Sequence, residues 1–283
     1  MSANSRYAIE TTGLVKKFRA TRRTVKESAR GVGAGNVDST GGVGANRAST
    51  KGLLTAVDAL SFTVEHGEIY GLLGPNGAGK TTTMRMLATL IKPTAGEALV
   101  AGHSITTDPE AVRASVGFLT SELKLEDFFT PSYLFDFFAE LHKVKPSLAA
   151  ERKAQLFARF GIEDFALTKV SSLSTGMKQK ASLAVSLVHD PDLIIFDEPT
   201  NGLDVLTARV VTDYLEELRS RGKTVVLSTH IFSLAEKLCD RIGIIIDGRM
   251  VAQGTLAQIS GGRSLEEAFF DLYAAQHPEE VSA

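Results

Sequence analysis

The chain reads as an α/β fold built on a parallel sheet, with a helical lobe inserted into it. Three observations predict this. Short apolar runs of strand length recur with helical patterns between them, as the crossovers of a parallel sheet require. One such run, 68–73, passes through a glycine-rich loop straight into a helical pattern. Between 130 and 161 two helical patterns follow each other with no strand between them. With 283 residues, 43% of them hydrophobic and 23% charged, the chain can bury a large core.

The elements follow in order. Tyr7–Phe18 opens with a short strand-like piece. Thr21–Gly52 holds no aromatic, leucine or isoleucine and is dense in Gly, Ser, Thr and Ala. It cannot bury enough apolar surface to offset chain ordering, so it reads as a disordered insertion. Its arginines and lysines leave two readings, contact with a membrane surface or nucleic acid and a plain solvated loop. The composition favours the loop. Ala56–Val64 reads as a strand and Glu68–Leu73 as a buried parallel one. After the glycine loop, Met84, Leu87, Ala88 and Ile91 share a helical face. Ala98–Val100 and Val116–Leu119 are further strands.

Thr130-Pro131 supplies an N-cap and a proline at the first helical position. The face of that helix carries Leu134, Phe137, Phe138 and Leu141, expected to pack against the neighbouring helix, with a cofactor pocket as the alternative. A second helix runs from near Ser147 to Gly161. Strand Leu193–Phe196 precedes helix Val205–Arg221, whose inward face is Val210, Val211, Tyr214, Leu215 and Leu218 and whose end is marked by Gly222. Strand Thr224–Ser228, helix Ser233–Cys239 and strand Ile242–Ile246 complete the alternation, and Asp247-Gly248 forms a tight turn.

Composition excludes several classes. A net charge of −2 gives no global basic field toward nucleic acid. The single cysteine, Cys239, excludes an intramolecular disulfide and is expected to pack in the core. The N-terminus leads into no apolar signal region, and no run approaches the ~18 apolar residues of a membrane span. Work at a membrane would then need a second, spanning chain.

Gly74-Pro75-Asn76-Gly77-Ala78-Gly79-Lys80-Thr81 matches the phosphate-binding pattern Gly-x-x-x-x-Gly-Lys-Thr. Its glycines let backbone amides converge on phosphate oxygens, and the following helix adds its positive end. Lys80 is suited to the β- and γ-phosphates, and the Thr81 hydroxyl to Mg²⁺, with Thr82 beside them in the nucleotide-holding set. Strand Leu193–Phe196 runs into Asp197-Glu198, which delivers two carboxylates to the ligand-binding edge of a parallel sheet. Asp197 suits Mg²⁺, and Glu198 suits a general base.

Leu173-Ser174-Thr175-Gly176-Met177-Lys178-Gln179-Lys180 resembles the signature of ABC-type ATPases, usually Leu-Ser-Gly-Gly-Gln. Taken alone, Ser174 is equally an ordinary N-cap. In order with 74–81, Asp197-Glu198, Asn201-Gly202-Leu203-Asp204 and Ser228-Thr229-His230, the whole is similar to an ABC nucleotide-binding subunit over nearly all of the chain except 21–52 and the last residues.

That resemblance implies a RecA-like P-loop NTPase core with an N-terminal antiparallel β subdomain and an α-helical subdomain at about 121–172. The ATPase domain spans 7–260, with a helical extension and tail over 261–283. The resemblance gives Phe18 the place of the adenine-stacking aromatic, and His230 that of the switch histidine at the γ-phosphate. Ser174 and Gly176 become phosphate contacts made to a second subunit, with Asp204 at the seam. The cofactors implied are ATP and Mg²⁺.

Three departures stand out. Thr175 and Met177 replace a glycine and a glutamine of the signature. The Q-loop glutamine is missing from Val116-Gly117-Phe118-Leu119-Thr120-Ser121-Glu122, where Ser121, or else Glu122, takes its place near Mg²⁺. The insertion 21–52 lengthens a connection that is usually short. The signature, together with Leu265-Glu266-Glu267-Ala268-Phe269-Phe270, looks most like exporter-type subunits, sodium-extruding first and multidrug second. The implied partners are an integral-membrane permease and a second ATP-binding subunit, a second copy being the simplest. No nucleic-acid partner is expected, and the expected place is the cytoplasmic face of the cell membrane. The cargo would be sodium ions or a drug- or lipid-like molecule. The rival is a non-transport ABC-type ATPase acting on ribosomes or DNA, but such chains usually carry two motif sets or long coiled coils. A GTPase is weaker still, since no Asn-Lys-x-Asp tetrapeptide occurs.

Overall fold

The computed structural model describes residues 6–19, 52–120 and 125–281. The insertion read at 21–52, all but Gly52, and the Ser121-Glu122 step lie outside these residues. Strands β1 (Tyr7–Arg19), β2 (Leu53–Glu65), β4 (Ala95–Val100) and β5 (His103–Ser104) form a four-stranded antiparallel sheet in the order β2-β1-β4-β5. The short piece expected at Tyr7 is in fact a strand of 13 residues. Its pairing with β2 shifts register between Thr11 and Lys17, which bends the long hairpin around the core.

The second sheet has six strands in the order β10-β9-β3-β8-β7-β6. These are β3 (Ile69–Leu73), β6 (Val116–Thr120), β7 (Leu193–Asp197), β8 (Thr224–Thr229), β9 (Arg241–Ile246) and β10 (Arg249–Thr255). All neighbours are parallel except β9 and β10. Their hairpin turn, Asp247-Gly248, has φ of 51° and 74°, the pair of positive values that suits the right-handed twist of the flanking strands.

Strand alternation sends side chains into two separate cores. Ile69, Leu73, Ile194, Phe196, Val225 and Leu227 join the helical side. Tyr70, Leu72, Leu193, Ile195 and Val226 face the antiparallel sheet. Both faces are covered, which is why these strands read as unbroken apolar runs.

The helices are α1 (Lys80–Leu87), α2 (Pro109–Ser115), α3 (Pro131–Leu141), α4 (Pro146–Phe160), α5 (Thr175–Ser186), α6 (Val205–Ser220), α7 (Phe232–Leu238), α8 (Leu256–Ser260), α9 (Leu265–Gln276) and the short α10 (Pro278–Val281). Cap chemistry fixes several ends. Thr130 accepts the Tyr133 amide at the start of α3, and Gly161 ends α4 in the left-handed conformation. Cys239 is buried, as expected. The short elements β5 and α2 carry no pattern that announced them.

Two expectations need correction. Helix α1 stops at Leu87, and Thr89 turns the chain with φ of 60°, so Ile91 packs on the core from outside the helix. The face of α3 is also rotated. Pro131, Leu134, Phe135 and Ala139 are its buried residues, whereas Phe137 is 48% and Leu141 62% exposed. Phe135 meets Phe157 of α4 edge to face at 5.6 Å, while Tyr133 stacks between Phe129 and Phe137 on the outside. The contrast is measurable by urea unfolding. Phe135→Ala is expected to cost about 3–5 kcal/mol, and Phe137→Ala about 0.5 kcal/mol.

Candidate functional site

The site lies where β3, β7 and β8 end, the edge at which parallel sheets bind ligands. The loop 74–79 leaves β3 and enters α1. Space and backbone conformation both demand its glycines. A Cβ on Gly74 would collide with the Ile245 carbonyl, and one on Gly79, whose φ is 104°, with the Ala56 carbonyl. Gly79 also caps α1 without any side-chain partner, so the first-turn amides of α1 are left to an incoming anion. Gly74, Ala78, Gly79 and Lys80 are buried, Pro75, Thr81 and Thr82 are half-buried, and Asn76 and Gly77 are exposed.

Lys80 is 5% exposed. Its Nζ donates to Gly74 O at 2.8 Å and Pro75 O at 3.2 Å, and sits 3.3 Å from Glu198 Oε1. Burial holds its ammonium below the usual lysine range, against the opposing pull of Glu198. Glu198 Oε2 lies 2.9 Å from His230 Nδ1. Its backbone has φ of 54°, a rare conformation for a residue with a side chain. The Glu198 amide donates to Ser228 Oγ at 3.0 Å, which pins that conformation.

Asp197 is 3% exposed and accepts the hydroxyls of Thr81 at 3.0 Å and Ser228 at 2.6 Å. Burial pushes its carboxyl upward, and the two hydroxyls oppose that shift. Sequence reasoning passed over Ser228 as a working residue. Its position two residues before His230, at the end of a buried strand, was the available signal.

Thus Lys80, Thr81, Asp197, Glu198 and His230 converge. Phe18 stands on β1 opposite Leu54, on the strand whose Ala56 touches Gly79. Its ring is 39% exposed and Lys16 Nζ lies 5.2 Å from its centroid.

Ser174 and Asp204, both exposed, and the half-buried Gly176 form a second group. Ser174 caps α5 by accepting the Met177 amide at 3.3 Å. Asp204 caps α6, accepting the Leu206 and Thr207 amides at 3.0 Å and the Thr207 hydroxyl at 2.7 Å. These bonds, the Thr207 hydroxyl first, hold its carboxyl below the usual range. A Cβ on Gly176 would come within 3.1 Å of Thr207 Oγ1, so the starts of α5 and α6 are packed together. Among the described residues, no hydrogen bond or ion pair joins this group to the Lys80 cluster.

The residues fit Mg²⁺ bound with a nucleotide. One carboxylate and one hydroxyl at Asp197 and Thr81 match the sparse protein ligation that Mg²⁺ takes beside phosphates. Among the described residues no group of three or more His, Cys, Asp or Glu side chains offers a metal site by itself.

The family model described as ABC transporter matches residues 57–201, half of the chain. The chain belongs to this family. It is similar to the ABC transporter ATP-binding protein NatA of Bacillus subtilis (strain 168), with 36% identity over 74% of this chain and 85% of that protein. It is also similar to the daunorubicin/doxorubicin resistance ATP-binding protein DrrA of Streptomyces peucetius, with 34% identity over 99% of this chain and 75% of that protein. A solved ATP-binding subunit of an ABC transporter superposes with a TM-score of 0.77 at 26% identity, covering 94% of this chain and 99% of that one. The chain is thus an ABC ATPase, with the P-loop NTPase fold of that family. Among its described residues no helix is long and apolar enough to cross a membrane.

Asp204 has a stability role that can be isolated from chemistry. Asp204→Ala is expected to lower the unfolding midpoint in thermal or urea denaturation, and Asp204→Asn to recover most of the loss as a good cap.

Proposed function

We propose that the chain is the ATP-hydrolysing subunit of an exporter, in which the loop 74–81 holds Mg-ATP and Glu198 is the base that activates water. The observation that carries this reading is the joint placement of Lys80, Glu198 and His230 beside the Thr81–Asp197–Ser228 bonds. Lys80 serves the β- and γ-phosphates, and Phe18 offers its exposed ring to adenine. Glu198 takes the proton of the attacking water, held in place by the hydrogen bond its backbone amide donates to Ser228 Oγ and by the His230 contact. His230 reaches the γ-phosphate. Thr81 and Asp197 would hold Mg²⁺. The ion, when bound, neutralises phosphate charge. The ATPase unit is read as 7–260, with a helical subdomain over about 121–172 and 261–283 as an extension.

A second ATP-binding subunit, simplest as another copy, would complete the site. Ser174 and Asp204 are exposed, and next to them Val205 is 84% and Leu206 76% exposed. Apolar side chains that open beside two helix starts suit burial against a partner. A permease would dock at the other end of the lobe. There a cavity of about 530 Å³ is lined by Phe118, Leu125, Leu134, Phe138 and Leu141. Tyr133 and Phe137 are exposed on the same helix α3. Docking there would hold the chain at the cytoplasmic face of the membrane. DrrA is a drug-resistance protein by name, which favours a drug- or lipid-like cargo, with sodium ions as the other candidate.

Hydrolysis assays test the base. Glu198→Gln is expected to keep ATP affinity within about twofold and to lose turnover by at least ~100-fold. Undiminished turnover in that variant removes Glu198 from the role. Co-purification from membranes tests the docking face. Phe137→Asp with Leu141→Asp is expected to release the chain from its polytopic partner while ATP affinity stays unchanged. Retention of the partner would place the docking face elsewhere.

A further inference from the structure

The β9–β10 turn has an inner and an outer face. On the inner face the Gly248 amide donates to Ala78 O, inside the phosphate loop, at 2.8 Å. The Gly248 carbonyl accepts the Asp58 amide of β2 at 2.9 Å. An ion pair from Arg249 to Asp58 at 2.6 Å closes the same joint. The turn is therefore the piece that holds the back of the phosphate loop.

On the outer face the turn is held in its own right. His277, the residue that ends α9, brings Nε2 to 2.9 Å from Asp247 Oδ2. Its Nδ1 lies 3.2 Å from Tyr273 O, and its ring stacks on Tyr273 at 4.4 Å. A carboxylate can only accept, so in this contact the Nε2–H of His277 is the donor to Asp247. The other end of α9 is anchored as well. The Leu265 amide donates to Glu236 Oε1 of α7 at 2.9 Å, and Phe269 rests on Phe232 with centroids 5.2 Å apart. A helix fixed at both ends thus terminates on the carboxylate of a turn whose next residue grips the phosphate loop.

We propose that His277 is a positioning residue for ATP binding, acting through Asp247 and the Gly248–Ala78 bond to hold the phosphate loop in its binding shape. This rests on the reading of 74–81 as the ATP-holding loop. Asp247 is more than half exposed, so the contact is a modest one and its effect on affinity is modest too.

Titration of the purified full chain with Mg-ATP, combined with steady-state hydrolysis, tests it. His277→Phe keeps the stack on Tyr273 and removes the Nε2 donor. Asp247→Asn keeps a residue that tolerates the left-handed turn and removes the charge. Each is expected to weaken ATP binding about threefold with kcat within about twofold. The double variant is expected to be no weaker than either single, because both break one link. His277→Lys, which again offers a donor to Asp247, is expected to recover affinity. Wild-type affinity in both single variants, or losses that multiply in the double, overturns the proposal. A fall in thermal stability with no change in ATP affinity also overturns it, since it leaves α9 a purely structural role. Failure of the wild-type chain to bind Mg-ATP would instead overturn the reading of the loop itself.

Discussion

The arrangement at the sheet edge depends on one buried carboxylate. Asp197 ends a strand whose five residues are all buried, where an unpaired charge would be costly. Two hydroxyls meet it, from the first turn of α1 and from the end of β8. Those two bonds tie β7, β8 and α1 into one rigid corner. The next residue, Glu198, then has nowhere to go but a left-handed turn, because its amide is also taken by Ser228. That turn carries its carboxylate to Lys80 on one side and His230 on the other. The water-facing chemistry is thus placed by a group that itself faces no water.

Much of this was legible in the sequence because it rests on local rules. The loop 74–81 is recognisable because few backbones other than glycine fit where Ile245 and Ala56 press on it. Ser174, Thr130 and Gly161 sit where cap chemistry puts them. The parallel strands announced themselves by being buried on both sides. What escaped was long-range or ambiguous. Helix α3 carries Leu134, Phe135, Phe137, Phe138 and Leu141, apolar on more than one face, so periodicity could not say which face turns inward. The long-range partners settled it: Phe157 of α4 takes Phe135. Elements as short as β5 and α2 have too few residues to show a period. Ser228 earned no notice because a hydroxyl in an apolar strand has no meaning until its partner strand is known. The bond from Gly248 to Ala78 spans 170 residues of chain and involves only backbone atoms, which leave no mark on the sequence.

The two helix starts at Ser174 and Asp204 illustrate how one residue can serve two levels of structure. Each is a sound N-cap within its own helix, and that alone accounts for its type. Their closeness across Gly176 and Thr207 is the additional fact, and it gives an exposed surface a fixed shape. An interface built on capped helix ends needs little reordering to be used, since the caps are already made.

The six-stranded sheet also acts as a partition. Its side chains alternate into two hydrophobic cores, one shared with the antiparallel strands and α1, the other with the helices of the opposite face. Substitutions deep in opposite cores, far apart and without common neighbours, should have energetic effects that combine independently. One face of the sheet can therefore accept substitutions while the face that carries the phosphate loop keeps its packing.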